Sequence, residues 1–329
     1  MIWDSILSGA QAAVGPVGAI YALAAIGLNM HFGYTGLLNF GQVGFMLVGA
    51  YAAAVAVSTY GLSLWIGVLF AVLCATALAL LLGIPTLRLR ADYLAITTIA
   101  AAEILRYIYR ADFAQSITGG VYGLRQFANG FYAVNPFPSG SYGGGNFSFL
   151  AGDMWVMVIT WGLVAIFSVL VWLLMRSPWG RVLRAIREDE DAARSLGKNV
   201  FNYKMQSLII GGIIGAIAGV MLAISQQAVT PDAFKPEVTF DLYTLLILGG
   251  AARVFGPILG SLLFWFLYNF CTSLLTSLVS QGDIPQSVIS SDEVGAVTLA
   301  LVGLGLILLM VFRPQGILGD RREMLLDVR

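Results

Sequence analysis

Leu62 to Ile84 reads LSLWIGVLFAVLCATALALLLGI, an uninterrupted apolar run with no acidic or basic side chain. A bilayer core of roughly 30 Å takes about 20 apolar residues as a helix, so this segment is long enough to cross one. It lies inside a longer stretch, because no Asp, Glu, Lys or Arg occurs between Asp4 and Arg88. Across all 329 residues, hydrophobic types make up 58% and charged types 11%, and the mean hydropathy is +0.84. A soluble domain of this size could not cover its surface with so little charge. The chain is therefore read as an all-α polytopic integral membrane protein, a single transmembrane domain over residues 1–329.

About nine apolar spans are expected, near residues 13–30, 40–57, 62–84, 93–110, 154–175, 205–224, 240–253, 256–279 and 294–312. The seventh is short and the second is rich in glycine, so either could be a broken or re-entrant helix. Spans one to four and six to nine would run in opposite senses, a weak indication of an inverted repeat. Met1-Ile2-Trp3-Asp4 lacks the basic segment of a cleaved signal peptide, so the first span is expected to be retained.

The formal net charge is zero, yet the charges are segregated by loop. Arg88 and Arg90 follow the third span, and Arg176, Arg181, Arg184, Arg187, Arg194, Lys198 and Lys204 follow the fifth. Arg253 follows the seventh, and Arg313, Arg321, Arg322 and Arg329 follow the ninth. If the spans alternate, all these residues share one side, which then holds 14 of the 18 basic residues. The positive-inside rule makes that side cytoplasmic, with the N-terminus outside and the C-terminus inside a bacterial inner membrane. The glycine- and aromatic-rich stretch 111–152 becomes an extracytoplasmic loop.

Several chemistries find no support. His31 is the sole histidine, while Cys74 and Cys271 fall in separate apolar spans, so neither a metal site nor a disulfide is expected. A Gly-x-x-x-x-Gly-Lys-Ser/Thr loop is absent, so this chain is not expected to be an enzyme that hydrolyses ATP or to bind a cofactor itself.

Four segments carry candidate function. Gly33-Tyr34-Thr35-Gly36-Leu37-Leu38-Asn39-Phe40-Gly41-Gln42 places glycines and polar groups at the edge of a span. Such a break lines a substrate path in many transporters, through Tyr34, Thr35, Asn39 and Gln42 here; tight helix packing explains the glycines equally well. A second break occurs at Gly249-Gly250-Ala251-Ala252-Arg253. Glu103 is the clearest intramembrane charge, with Arg106 and Arg110 on its helical face. It either faces the path or forms a structural ion pair. Thr118, Gly119 and Gly120 form a polar turn whose amides could meet a ligand.

The loop 176–204 is read as a short amphipathic helical region. Trp179, Val182, Leu183 and Ile186 recur at helical spacing, Ser177-Pro178 opens the region and Gly197 closes it. It either rests on lipid headgroups or docks into a cytoplasmic partner. Asp191-Ala192-Ala193 with Gly197 matches the Glu-Ala-Ala-x-x-x-Gly pattern of ABC importer permeases, with Asp for Glu. The docking candidates are Trp179, Arg184, Ile186, Asp191, Ala192, Ala193 and Gly197.

In chain order, Gly33–Gln42, Leu87-Arg88-Leu89-Arg90-Ala91-Asp92-Tyr93-Leu94-Ala95-Ile96, Thr118-Gly119-Gly120-x-x-Gly-Leu, Arg176-Ser-Pro-Trp-Gly-Arg-x-x-Arg-Ala-Ile-Arg-Glu-Asp-Glu and Phe312-Arg313-Pro314-Gln315-Gly316 resemble the permeases of branched-chain amino acid ABC importers, LivM type. The resemblance implies a second homologous permease subunit, two cytoplasmic ATPase subunits that bind ATP and Mg, and an extracytoplasmic solute-binding protein; no nucleic acid is involved. It implies alternating access for leucine, isoleucine or valine. Urea, short amides or other neutral amino acids are the nearest alternatives, and an ion-coupled secondary transporter or channel is the rival class.

Overall fold

The computed structural model describes residues 2–87, 91–144, 147–281, 290, 293–312 and 315–319. Arg88, Arg90, Arg313, Arg321, Arg322 and Arg329 therefore lie outside the described residues. Each expected span falls on a helix: α2 (Pro16–Asn29), α3 (Gln42–Ser58), α4 (Leu64–Thr86), α5 (Ala91–Arg110), α8 (Ala151–Arg176), α11 (Val200–Gln226), α12 (Pro236–Gly249), α13 (Gly256–Gln281) and α14 (Val294–Phe312). Five of the described helices are long and apolar enough to cross a membrane: α2 with its extension to Tyr34, α4, α8, α11 and α13. At 17 and 14 residues, α3 and α12 are short for a full crossing.

An additional helix, α1 (Ile2–Val14), precedes the expected spans and packs on α13, with Gly9 against the backbone of Phe266 and Ser5 bonded to Ser273. Its polar Asp4, Ser5, Ser8 and Gln11 kept it out of the hydropathy reading. Gly15, in extended conformation, and Pro16, in the first turn, separate α1 from α2.

The core forms where α2 and α3 press against α11. Helix association in lipid depends on close packing rather than on the hydrophobic effect. α11 supplies a spine of Gly211, Gly215 and Gly219 at four-residue spacing, with Gly212 beside it. A Cβ added at Gly219 would overlap the carbonyl of Met46, and one at Gly211 would overlap both His31 and the carbonyl of Gly27.

The ends of the bundle sort by charge. At one end, Gly36 lies against Arg187, Ala252 against Asn29, and Leu318 against Gly249. The described basic residues of 176–204 and Arg253 gather there. At the other end, the described residues of the 111–152 stretch form α6 (Gln115–Thr118), α7 (Asn129–Ala133) and a pair of antiparallel strands, β2 (Ser141–Gly144) and β3 (Phe147–Leu150). β1 (Leu124–Arg125) pairs antiparallel with β4 (Ala228–Val229) and fastens this cap to the end of α11. These small sheets are the departure from an all-helical chain.

The 176–204 region is two helices rather than one. α9 (Pro178–Glu188) starts at Ser177, whose hydroxyl accepts from the Gly180 amide. The chain then extends at Asp189 (φ −155°, ψ 104°), which caps α10 (Glu190–Ser195) by accepting from the Ala192 amide at 2.9 Å. Ile186, Ala193 and Val200 form a small core between them. Asp189→Ala is expected to destabilise α10 by about 1 kcal/mol. Limited proteolysis would read this as faster cleavage within 189–199.

Candidate functional site

The first break opens as a π-helical turn, Met30–Tyr34, at the end of α2. Residues 36–41 then run without regular structure into α3. Gly36 takes φ +72°, a left-handed conformation that favours glycine, and the Cβ position it leaves empty faces Arg187. Irregular backbone at membrane depth needs partners for its polar groups, and here they come from the end of α2, from α5 and from α12. Leu37 N donates to His31 O at 2.9 Å, Phe40 N to Thr98 Oγ1 at 3.1 Å, and Val43 N to Thr239 Oγ1 at 3.1 Å. Tyr243 OH donates to Asn39 O at 3.1 Å, and its ring stacks on Phe40 at 4.6 Å.

His31 pins the centre of this network. A carbonyl only accepts, so the 3.1 Å contact of Nε2 with Leu208 O places the imidazole proton on Nε2. Nδ1 is then free to accept from Asn39 Nδ2 at 3.0 Å. Asn39 Nδ2 also reaches Gln42 Oε1 at 3.3 Å, and Gln42 Nε2 donates to Gly211 O at 3.2 Å. Thr35 Oγ1 and Ser207 Oγ lie 2.6 Å apart and both within reach of Met30 O, so one hydroxyl donates to that carbonyl and the other to its neighbouring hydroxyl. Thr35, Asn39 and Gln42 are thus buried and bonded within the break rather than aimed into an open cavity. Tyr34 lines a cavity at the basic end.

The second break closes on the first. Asn29 Nδ2 donates to Arg253 O at 2.9 Å, and its Oδ1 accepts from Ala252 N at 2.9 Å. Ile317 N and Leu318 N cap the end of α12 through Leu248 O and Gly249 O. The two breaks are far apart in sequence, and this meeting was not legible there.

At the opposite end, Glu103, Arg106 and Arg110 join Asp232, which lies in a 3-10 turn, Pro231–Phe234, before α12. Arg106 is 7% exposed and grips Glu103 with two 2.8 Å bonds while Nη1 reaches Asp232 at 3.0 Å. Arg110 meets the same Asp232 oxygen at 3.2 Å. Glu103 therefore pairs with Arg106 as anticipated in sequence, with Asp232 as an unforeseen fourth member of the cluster. Thr118 Oγ1 bonds Tyr109 O and Ala114 O, and Gly119 and Gly120 both have positive φ. The path candidates consequently divide into two groups. Thr98 touches the first and Arg106 anchors the second, about 12 Å apart along α5 at 1.5 Å per residue. Asp241, half-buried within α12, is an intramembrane carboxylate that the sequence reading passed over; its position in a short span was the available signal.

The helix pair presents Asp191, Ala192 and Gly197 to solvent, with Leu196 between them at 79% exposure. Ile186 and Ala193 face inward. Trp179 Nε1 bonds Gln206 Oε1 at 2.7 Å, and Arg184 Nη2 bonds Met175 O at 2.8 Å, so both tie α9 to the bundle. Glu190 forms ion pairs with Arg194 and Lys204. Arg187, which sequence reasoning used only for orientation, donates from Nη1 to Gly33 O at 2.6 Å and joins α9 directly to the first break.

A family model described as branched-chain amino acid transport system / permease component matches residues 14–312. The high-affinity branched-chain amino acid transport system permease protein LivM of Escherichia coli (strain K12) is 32% identical over 333 residues, covering 98% of this chain and 73% of that protein. The probable branched-chain amino acid transport permease protein LivM of Methanocaldococcus jannaschii is 28% identical, covering 92% of this chain and 91% of that protein. The permease protein BraD of Pseudomonas aeruginosa, of a high-affinity branched-chain amino acid transport system, is 27% identical, with 92% of each chain covered.

Proposed function

We propose that this chain, which belongs to the branched-chain amino acid transport system permease family, is the membrane subunit of an ATP-driven importer for leucine, isoleucine or valine. In this reading the basic end of the bundle faces the cytoplasm, where most of the described Lys and Arg residues gather. A second permease subunit completes the path, two ATPase subunits bind ATP and Mg, and an extracytoplasmic binding protein delivers the solute.

The observation that carries the reading is the bond from Arg187 to Gly33 O. It connects an exposed helix pair to the least regular part of the membrane core. An ATPase holding Asp191, Ala192, Leu196 and Gly197 would move α10, and α9 would transmit that movement to the break. Alternating access needs two states whose balance an energy source biases, and this linkage supplies the mechanical route.

Vesicles containing the assembled transporter test the assignment. ATP-dependent uptake of labelled leucine is expected, with isoleucine and valine competing and urea or short amides failing to compete. Uptake that persists without any ATPase subunit would sink the reading. Asp191→Arg with Gly197→Trp is expected to abolish ATPase co-purification while the protein still inserts, since the backbone strain of a side chain at Gly197 (φ +75°) stays within an exposed turn that has open space around it. Normal co-purification would count against docking at this surface.

A further inference from the structure

The basic end of the bundle also encloses a cavity of about 690 Å³ between α8, α9, Tyr34 and the turn 252–255. Arg176, Arg184, Arg187 and Arg253 line it, and Glu188 is the one carboxylate among the described lining residues. Arg176, Arg184 and Arg187 against Glu188 already leave the described lining with a net positive charge, without counting Arg253. The arginines are held in place: Arg184 and Arg187 by the carbonyls of Met175 and Gly33, and Arg176 by the Trp172 ring 4.0 Å away. Among the described residues, no carboxylate forms a salt bridge with Arg176, Arg184 or Arg187.

The rim is apolar at the same level. Trp172 and Leu173 are exposed on the last turns of α8, and Phe255 is 65% exposed on the facing turn. Aromatic rings beside arginines at the end of a span mark the headgroup region of a bilayer. Guanidinium forks match the paired oxygens of a phosphate. A free anion would use the arginines and leave the apolar rim unexplained, whereas a phospholipid uses both. We propose that this cavity holds the phosphate headgroup of an anionic phospholipid, with its acyl chains lying along Val169, Leu170 and Leu173 of α8. Basic pockets between helices on the cytoplasmic side recognise such headgroups. The bound lipid would brace α9 against the turn 252–255, and this holds whatever solute is carried.

Native mass spectrometry of the purified chain, titrated with phosphatidylglycerol or phosphatidylcholine, tests the site. Phosphatidylglycerol is expected to bind the wild type more tightly, and Arg176→Gln with Arg253→Gln to weaken it by about 30-fold. Arg176→Lys with Arg253→Lys should keep most of the binding. Equal binding of the two lipids to the wild type would overturn the proposal, and that comparison needs no substitution to fold. Phosphatidylglycerol binding unchanged in the glutamine variant would overturn it too. So would displacement of the lipid by inorganic phosphate alone, which marks a free-anion site. Loss of ATPase co-purification in the glutamine variant with lipid binding intact would assign the arginines to a protein partner instead.

Discussion

Gly219→Leu is expected to abolish accumulation of folded protein, while Gly162→Leu leaves it unchanged. Both glycines lie inside long apolar helices, so hydropathy and helix propensity do not distinguish them. A Cβ at Gly219 would lie 2.0 Å from Met46 O, a backbone atom of α3 that no rotamer change moves aside. At Gly162 nothing lies within 4 Å. Overpacking in a closed core costs about 1–3 kcal/mol, and a clash between backbones belongs at or above the top of that range. The loss should exceed that of Gly219→Ala, because leucine must also find room for its branch. Fluorescence-detected size exclusion of tagged variants reads the outcome. A monodisperse Gly219→Leu peak at wild-type level would show that α3 and α11 do not meet as described.

Arg106→Ala should produce the second large effect. It leaves Glu103 and Asp232 facing one another without the guanidinium that separates them. Removing one partner of a buried pair costs about 3–5 kcal/mol. Partial exposure of both carboxylates and the remaining Arg110 place this case near the lower bound. Thermal unfolding in detergent would show the loss. Adding Glu103→Gln and Asp232→Asn should recover more than half of it, because the unpaired charges disappear with their partner. Additive losses across the three substitutions would mean that the residues act independently. The exposed pair Arg194–Asp191 provides a contrast: Asp191 is 90% exposed, and its removal should change stability very little.

What was legible in the sequence follows from how lipid constrains a chain. Apolar length announces a spanning helix whatever surrounds it, so the nine expected spans each meet a helix. Glu103 and Arg106 sit one turn apart on one helix, and their pairing was readable from that spacing. Asp232 lies 126 positions away from Arg106 and carries no local signal for its partner. α1 escaped because its apolar face is diluted by polar residues that meet α13 and the Phe147–Leu150 strand. The break at Asp189 escaped because charge periodicity persists through it while the backbone turns. The polar residues of the first break were visible, but their use was not. A Thr, Asn or Gln at a helix break reads alike whether it meets a solute or a neighbouring carbonyl. The Gly211-x-x-x-Gly215-x-x-x-Gly219 spacing, like the glycines of the break itself, was a sign that packing governs this region.

The clasp of Asn29 onto Ala252 and Arg253 sets an order of events during synthesis. Asn29 reaches the membrane 224 residues before the backbone that satisfies it, and His31 and Gln42 wait 177 and 169 residues for α11. At roughly 5–20 residues per second, Asn29 waits on the order of 11–45 s. For that interval the N-terminal third of the chain carries buried polar groups whose partners do not yet exist. It must stay beside water or the insertion machinery rather than disperse into lipid. The native core is thus closed by the last third of the chain, and a nascent permease stalled before Arg253 should be recognised and degraded as incomplete.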